Sequence, residues 1–265
     1  MKKYLEVFRL SFKMQLVWRF DAAMTIIATA GRILAGWIVW QAIFEGKELV
    51  GGFTFEAMLS YYIVCSLLRS IDFSDQISGE VSDLIREGRF SGHMVTPIDP
   101  LGFFGSLIAG ESAFHLGFGL IAAAACALVL GVSITLTGDV ARILAAAAII
   151  PTGLAFMAAF QYFIGILTFK FLDIRFFMYV QWNILAFVTG SMVPLSLLPQ
   201  GVLAILRFLP FTHVVFTPTM LLTGQMTATE GLFGLAVIGA WAILMPVIAR
   251  YMYGRLRVKY DGVGI

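Results

Sequence analysis

Three ionisable residues stand inside apolar sequence, where a charge is expensive: Arg32, Glu111 and His115. Arg32 lies near the middle of an apolar run over residues 22–44. Holding it in hydrocarbon costs about 2.5 to 3.5 kcal/mol even on the lenient insertion scale, so it must face protein, water or an anion. Glu111 and His115 are one helical turn apart and share a face of any helix that carries them. They could pair locally, meet Arg32 across helices as a packing salt bridge, or line a polar pathway and relay a proton or ion. With Phe104 near the inner boundary, Glu111 lies only about two turns deep, an inner-leaflet position. Gln161, Gln181 and Asn183 could line the same cavity, although amides inside membranes commonly serve as packing glue. A cavity walled by Phe156, Phe160, Phe163, Tyr179 and Trp182 would suit amphipathic molecules.

Other chemistries lack their residues. The histidines His93, His115 and His213 are far apart, and neither Cys65 nor Cys126 has metal-clip spacing; both cysteines fall in apolar runs, where a thiol behaves as a small hydrophobe. No GxxxxGK[ST] loop is present to gather phosphates and no GxSxG elbow to present a serine. Neither a metal, a nucleotide nor another cofactor is therefore expected on this chain, nor an enzymatic activity of its own.

The elements that must position these residues cross a bilayer. Of 265 residues 60% are hydrophobic and 13% charged, and the apolar residues come in blocks of roughly 20, the length of a spanning helix. The expected fold is an all-α integral membrane protein, a single domain over residues 1–265, with six spans at 22–44, 55–71, 104–130, 143–169, 177–198 and 232–251. With the N-terminus inside, fourteen of the eighteen Lys and Arg fall in inside segments and three (Lys47, Arg142, Arg207) outside. Both termini are thus expected in the cytoplasm. A net charge of +2 points to no nucleic-acid partner. Trp18, Trp37, Trp40, Trp182 and Trp241 read mainly as interfacial belts.

Residues 1–20 read as an interfacial helix. Leu5, Phe8, Phe12, Leu16 and Phe20 recur at three- and four-residue steps, opposite basic residues that suit anionic lipid. Residues 72–100 form the one long, strongly charged loop and contain a short cytoplasmic helix, capped by Ser74 or Ser78, with Gly88 at its end. Ile77, Val81, Leu84 and Ile85 make an apolar stripe on that helix, which points to a protein partner that buries it. Over residues 190–226, Pro194, Pro199, Pro210 and Pro218 interrupt apolar sequence, predicting a broken, re-entrant helical hairpin at the outer side. Alanine-rich runs at 122–125 and 145–148, with Gly31, Gly36, Gly231, Gly234 and Gly239, permit close helix packing.

Two stretches carry a resemblance. Leu84-Ile85-Arg86-Glu87-Gly88-Arg89-Phe90, followed by Thr96-Pro97-Ile98-Asp99-Pro100, is similar to an I-x-x-G turn leading to a P-x-x-P entry into the third span. Residues 192–199, Leu209-Pro210-Phe211 and Pro218 to Gly224 are similar to a P-L-x-x-L-P … L-P-F … P … L-x-G extracellular hairpin. With the span order, the chain resembles the permease subunit of ABC-2 type transporters, of the daunorubicin and multidrug exporter kind. The resemblance implies a second permease, identical or paralogous, and two ABC ATPase subunits on separate chains that bind ATP and magnesium. It also implies a coupling helix presenting Ser78, Glu80, Val81, Asp83, Leu84, Arg86 and Glu87, and export of a drug-like, lipid-like, glycan or peptide substrate across a bacterial inner membrane. A secondary transporter working through Arg32, Glu111 and His115 is the alternative, which the missing internal repeat disfavours.

Overall fold

The computed structural model describes residues 2–17, 19–131 and 133–259, without the side chains of Arg19, Asp21, Ala22 and Lys259; Trp18 lies outside the described residues. Every regular element among them is helical: α1 (Lys2–Val17), α2 (Arg19–Phe44), α3 (Phe55–Ser70), α4 (Asp75–Arg86), α5 (Ser91–Val95), α6 (Pro100–Leu130), α7 (Val140–Ile166), α8 (Thr168–Phe171), α9 (Arg175–Val188), α10 (Gln200–Leu206), α11 (Phe216–Leu222) and α12 (Ala228–Leu256). Helices are the answer an apolar chain must give in lipid, because each satisfies its own backbone groups.

Helix ends follow local chemistry. α3, α7 and α12 all start at one end of the bundle and each is capped there by a side chain: Thr54 accepts from Ala57 N, Asp139 from Ala141 N, and Thr227 forms a reciprocal capping box with Glu230. α6 starts at the opposite end with Pro100 in its first turn, where the missing N–H has no helical partner in any case. It stops at Gly131, which takes the left-handed conformation.

Four helices are long and apolar enough to cross a bilayer alone: Ala23–Phe44, Pro100–Leu130, Val140–Phe171 and Ala228–Leu256. The other two expected spans are shorter helices. α3 has 16 residues and α9 has 14. At 1.5 Å per residue α9 reaches only about 21 Å, against an apolar layer of about 30 Å. The expected span 177–198 breaks after Val188 because Gly190 turns with φ of 75°. Its carbonyl accepts a hydrogen bond from Tyr61 Oη at 2.7 Å, and Phe216 N donates to Thr189 O at 3.1 Å. The turn is thus held beside α3 and at the start of α11.

Past this turn each of the four prolines up to residue 226 marks a break. Pro194 precedes a 3-10 turn (Leu195–Leu197), Pro199 precedes α10, Pro210 opens a second 3-10 turn (Pro210–His213), and Pro218 sits in the first turn of α11. The helical pair 200–206 and 210–222 is bent by 88°. His213, at the bend, is buried and fully engaged, with Nδ1 2.8 Å from Thr217 Oγ1 and Nε2 2.9 Å from Arg207 O.

The core is built around α7 and α12. Ala145, Ala146 and Ile149 of α7 and Ile238 and Ala249 of α12 are buried in it, while Gly153 and Gly234 let the segment before and into α11 come close: a Cβ on Gly153 would meet Val214, and one on Gly234 would meet His213 at 2.8 Å. α1 runs along the first half of α6: Ser11 Oγ donates to Leu107 O at 2.6 Å and Phe12 meets Phe114 edge-on at 5.6 Å. The apolar face read as lipid-facing is therefore divided. Phe8 and Phe12 are partly buried while Leu5, Leu16 and Phe20 stay exposed.

Candidate functional site

α4 hangs at the end of the bundle from which α6 starts, held by small and apolar residues. Before it, the Asp72 carboxylate accepts from Ser74 N at 3.1 Å. Ser74 occupies the cap position but makes no side-chain capping bond, and Ser78 Oγ donates to Asp75 O, so neither serine caps the helix. The Asp72 bond instead shapes the turn that leads into α4, whose first amides Gln76 N and Ile77 N donate to Phe73 O and Ser74 O.

Along α4, Ile77, Val81 and Ile85 are at most 5% exposed. Their partner is α7 of the same chain: Gly165 lies so close that a Cβ there would come within 2.8 Å of Val81 Cβ. Thr168 Oγ1 donates to Ser82 Oγ at 3.0 Å from the following α8. The apolar stripe therefore needs no second protein to bury it, which corrects the inference drawn from periodicity. Ser78 and Val81 face inward, and Leu84 is half-buried. What faces outward is charge: Glu80, Asp83, Arg86 and Glu87 are exposed. Arg86 lies 3.7 Å from Asp83, and Arg89 pairs with Glu87.

Although Glu80 is exposed, its carboxyl loses part of its hydration to the surrounding protein, which pushes it above the usual carboxylate range. Burial and then the neighbouring Asp72 charge push Asp75 up, against the pull of Arg69. Gly88, with φ of 78°, then turns the chain so that Phe90 re-enters the core against Phe169 and Tyr253. Asp99 receives both Arg250 Nε (3.0 Å) and a terminal nitrogen (2.8 Å), tying the α6 entry to the end of α12. The whole assembly is an acidic ledge packed on α7 and tied to α12.

Within the bundle the three ionisable residues do not converge. Arg32 donates to Thr29 Oγ1 at 3.1 Å on its own helix, and its charged neighbour is Arg69 of α3. His115 is 2% exposed, with Nδ1 2.8 Å from Thr25 Oγ1 and its ring 4.7 Å from Phe73. Glu111 is half-buried one turn nearer the start of α6. Of the pairings the sequence left open, an Arg32–Glu111 ion pair is not present among the described residues, Arg32 being turned along α2 toward Thr29. Gln181 Nε2 donates to the buried Gln161 Oε1 at 3.0 Å and joins α9 to α7. Asn183 bonds back to Tyr179 O on the exposed face of α9.

The five aromatics proposed as one cavity wall separate. Phe156 and Phe160 pack on Phe211, whereas Tyr179 and Trp182 face outward. Thr25, Thr29 and Arg69 were missed. Threonines inside apolar runs read as neutral, and Arg69, at the end of α3, counts only toward topology.

A model of ABC-2 family transporter proteins matches residues 30–264, from the middle of α2 through the last described helix. The chain belongs to the ABC-2 transporter family. Among curated proteins none matches it. As an ABC-2 permease it is a multi-pass membrane component of an ABC transporter, a family that associates with ABC ATPases and carries no nucleotide-binding domain of its own. α4, Arg32, Glu111 and the proline-broken segment all lie inside the matched region, while α1 and Thr25 precede it.

Proposed function

We propose that this ABC-2 permease is the membrane half of an ATP-driven exporter. It joins a second permease, a copy or a paralogue, to enclose a pathway for an amphipathic, lipid-like or drug-like substrate, and two separate ATPase chains bind ATP and magnesium and drive it. α4 is the coupling helix. The observation that supports this most is the two-sidedness of that helix: its apolar face is locked to α7, so a push on its outward face moves the bundle, and the outward face is charged for recognition. The excess of basic residues at the α4 end argues for a bacterial cytoplasmic membrane topology with both termini inside. The exposed faces of α2 and α9, carrying Arg32 and Asn183 among apolar residues, are the surfaces we assign to the second permease and the pathway.

The test is the triple reversal Glu80→Lys, Asp83→Lys and Glu87→Lys. The variant should insert and fold normally but retain at least tenfold less ATPase on copurification, since reversing charges at a rim suppresses docking by more than about 1.4 kcal/mol. ATPase retention equal to the parent protein would remove α4 from the interface.

A further inference from the structure

Arg32 and Arg69 face one groove of about 250 Å³ between α2 and α3, with Thr25 and Ser70 on its walls and Phe73 at its end. The two helices are antiparallel neighbours, with Gly36 against Tyr62 and Ile33 packed in one cluster with Ile63. Long side chains on a helix lean back toward its N-terminus. Arg32 leans toward the α4 end, as its bond to Thr29 shows, and so stands over the groove that Arg69 lines from α3.

Like charges brought together in an apolar setting are unfavourable unless an anion lies between them. Among the described residues, Asp72 and Asp75 share a small cleft with Arg69, and Asp72 is already engaged by Ser74 N. Among the described residues no carboxylate lies within ion-pair distance of Arg32, whose one hydrogen bond is to Thr29.

We propose that Arg32 and Arg69 form a binding site for the phosphate head of an anionic amphiphile in the inner leaflet. Guanidinium forks match phosphate oxygens two at a time, and two forks from different helices can hold one phosphate. The groove is smaller than the roughly 300–1,000 Å³ of sites that enclose whole ligands, which fits a head group and leaves the chains outside. The surface beyond it supplies their seat, because Ala35, Val39 and Ile43 continue along the same face of α2 as exposed apolar side chains. The site deepens the transport reading above and rests on it for its role, giving the substrate class as a phosphate-bearing amphiphile; its binding chemistry can be measured without transport.

The experiment uses the permease, purified with whatever ATPase it retains, in nanodiscs of phosphatidylcholine. Displacement of a fluorescent phosphatidic acid is measured with unlabelled phosphatidic acid, phosphatidylcholine and inorganic phosphate. The parent protein should prefer phosphatidic acid to phosphatidylcholine about tenfold, the worth of one charge-assisted contact pair. Arg32→Gln and Arg69→Gln should each abolish the preference, Arg32→Lys should keep part of it, and Lys47→Gln in the far loop should leave it whole. Inorganic phosphate displacing the probe as well as the lipid does would identify a soluble anion site and overturn the amphiphile assignment. No preference in the parent protein, or one that survives both glutamine variants, overturns the site itself. ATPase retention, recorded on the same samples, separates the two ideas: retention without lipid preference sinks this site alone, and preference without retention sinks the coupling reading alone.

Discussion

Gly165 is the residue on which the seat of α4 depends. A methyl group there would sit 2.8 Å from Val81 Cβ and 3.2 Å from Ser78 O, closer than packed carbons allow, and the second of these contacts is backbone that cannot rotate away. Gly165→Ala should therefore lift α4 from α7, at about 1–3 kcal/mol, the usual range for overpacking. Val81→Ala removes the Cγ1 contact at 2.9 Å but keeps the Cβ, so the double variant should recover only part of the loss. The measurement is thermal unfolding followed by a thiol-reactive dye at Cys65 and Cys126, both buried in the folded chain. Additive losses in the double variant would show that the two positions do not meet. The sequence carried the cue for one partner only: Val81 falls on the apolar stripe of α4, but Gly165 is one glycine among 26 and nothing local distinguishes it. Arg69 was equally hidden, since its meaning comes from Arg32 on another helix.

Elements divide by how local their causes are. α6, α7 and α12 are written as long apolar runs with capping residues, and the sequence reading finds all three within a few residues. The helix in residues 72–100 is found as well, from its period of apolar residues. What escapes is α9, whose apolar stretch continues past Val188 although the helix does not; its end is set by Tyr61 from α3 holding the Gly190 carbonyl, a contact 129 residues away in the chain.

α5 offers a test at this scale. His93 packs against the rings of Phe90, Phe103 and Phe104, and burial holds its imidazole below the ordinary value of 6.5. A histidine whose folded value is lowered stabilises the fold in its neutral form, so the contribution is present above pH 6.5 and declines as acid protonates the unfolded form first. Hydrogen exchange over residues 90–104 should accelerate between pH 7 and pH 5, after correction for intrinsic rates. His93→Gln should flatten that dependence. An unchanged profile in the variant would assign the acid sensitivity to another group.

At the scale of the whole molecule the unevenness of its surface matters most. α12 has Gly231 and Gly234 turned to α11 and the 3-10 turn before it, and its exposed Ile243, Leu244 and Val247 form an unbroken apolar face of the kind lipid accepts without partners. α2 and α9 differ. Their exposed faces mix apolar side chains with Arg32 on one and Asn183 on the other, and polar groups at such depth call for protein or water beside them. If these faces meet a second permease, single cysteines at Ile38 or Asn183, introduced into a chain with Cys65 and Cys126 replaced by alanine, should form oxidant-induced disulfides between permeases in native membranes. A cysteine at Ile243 should not, because about 6 Å between Cα atoms is needed and lipid keeps that face apart. A paralogous partner would make the bond appear only when that chain carries its own cysteine, which distinguishes a mixed pair from two copies. Cross-linking at Ile243 as efficient as at Asn183 would mean that the lipid-facing and partner-facing sides have been exchanged, and with them the wall of the pathway on which Arg32 stands.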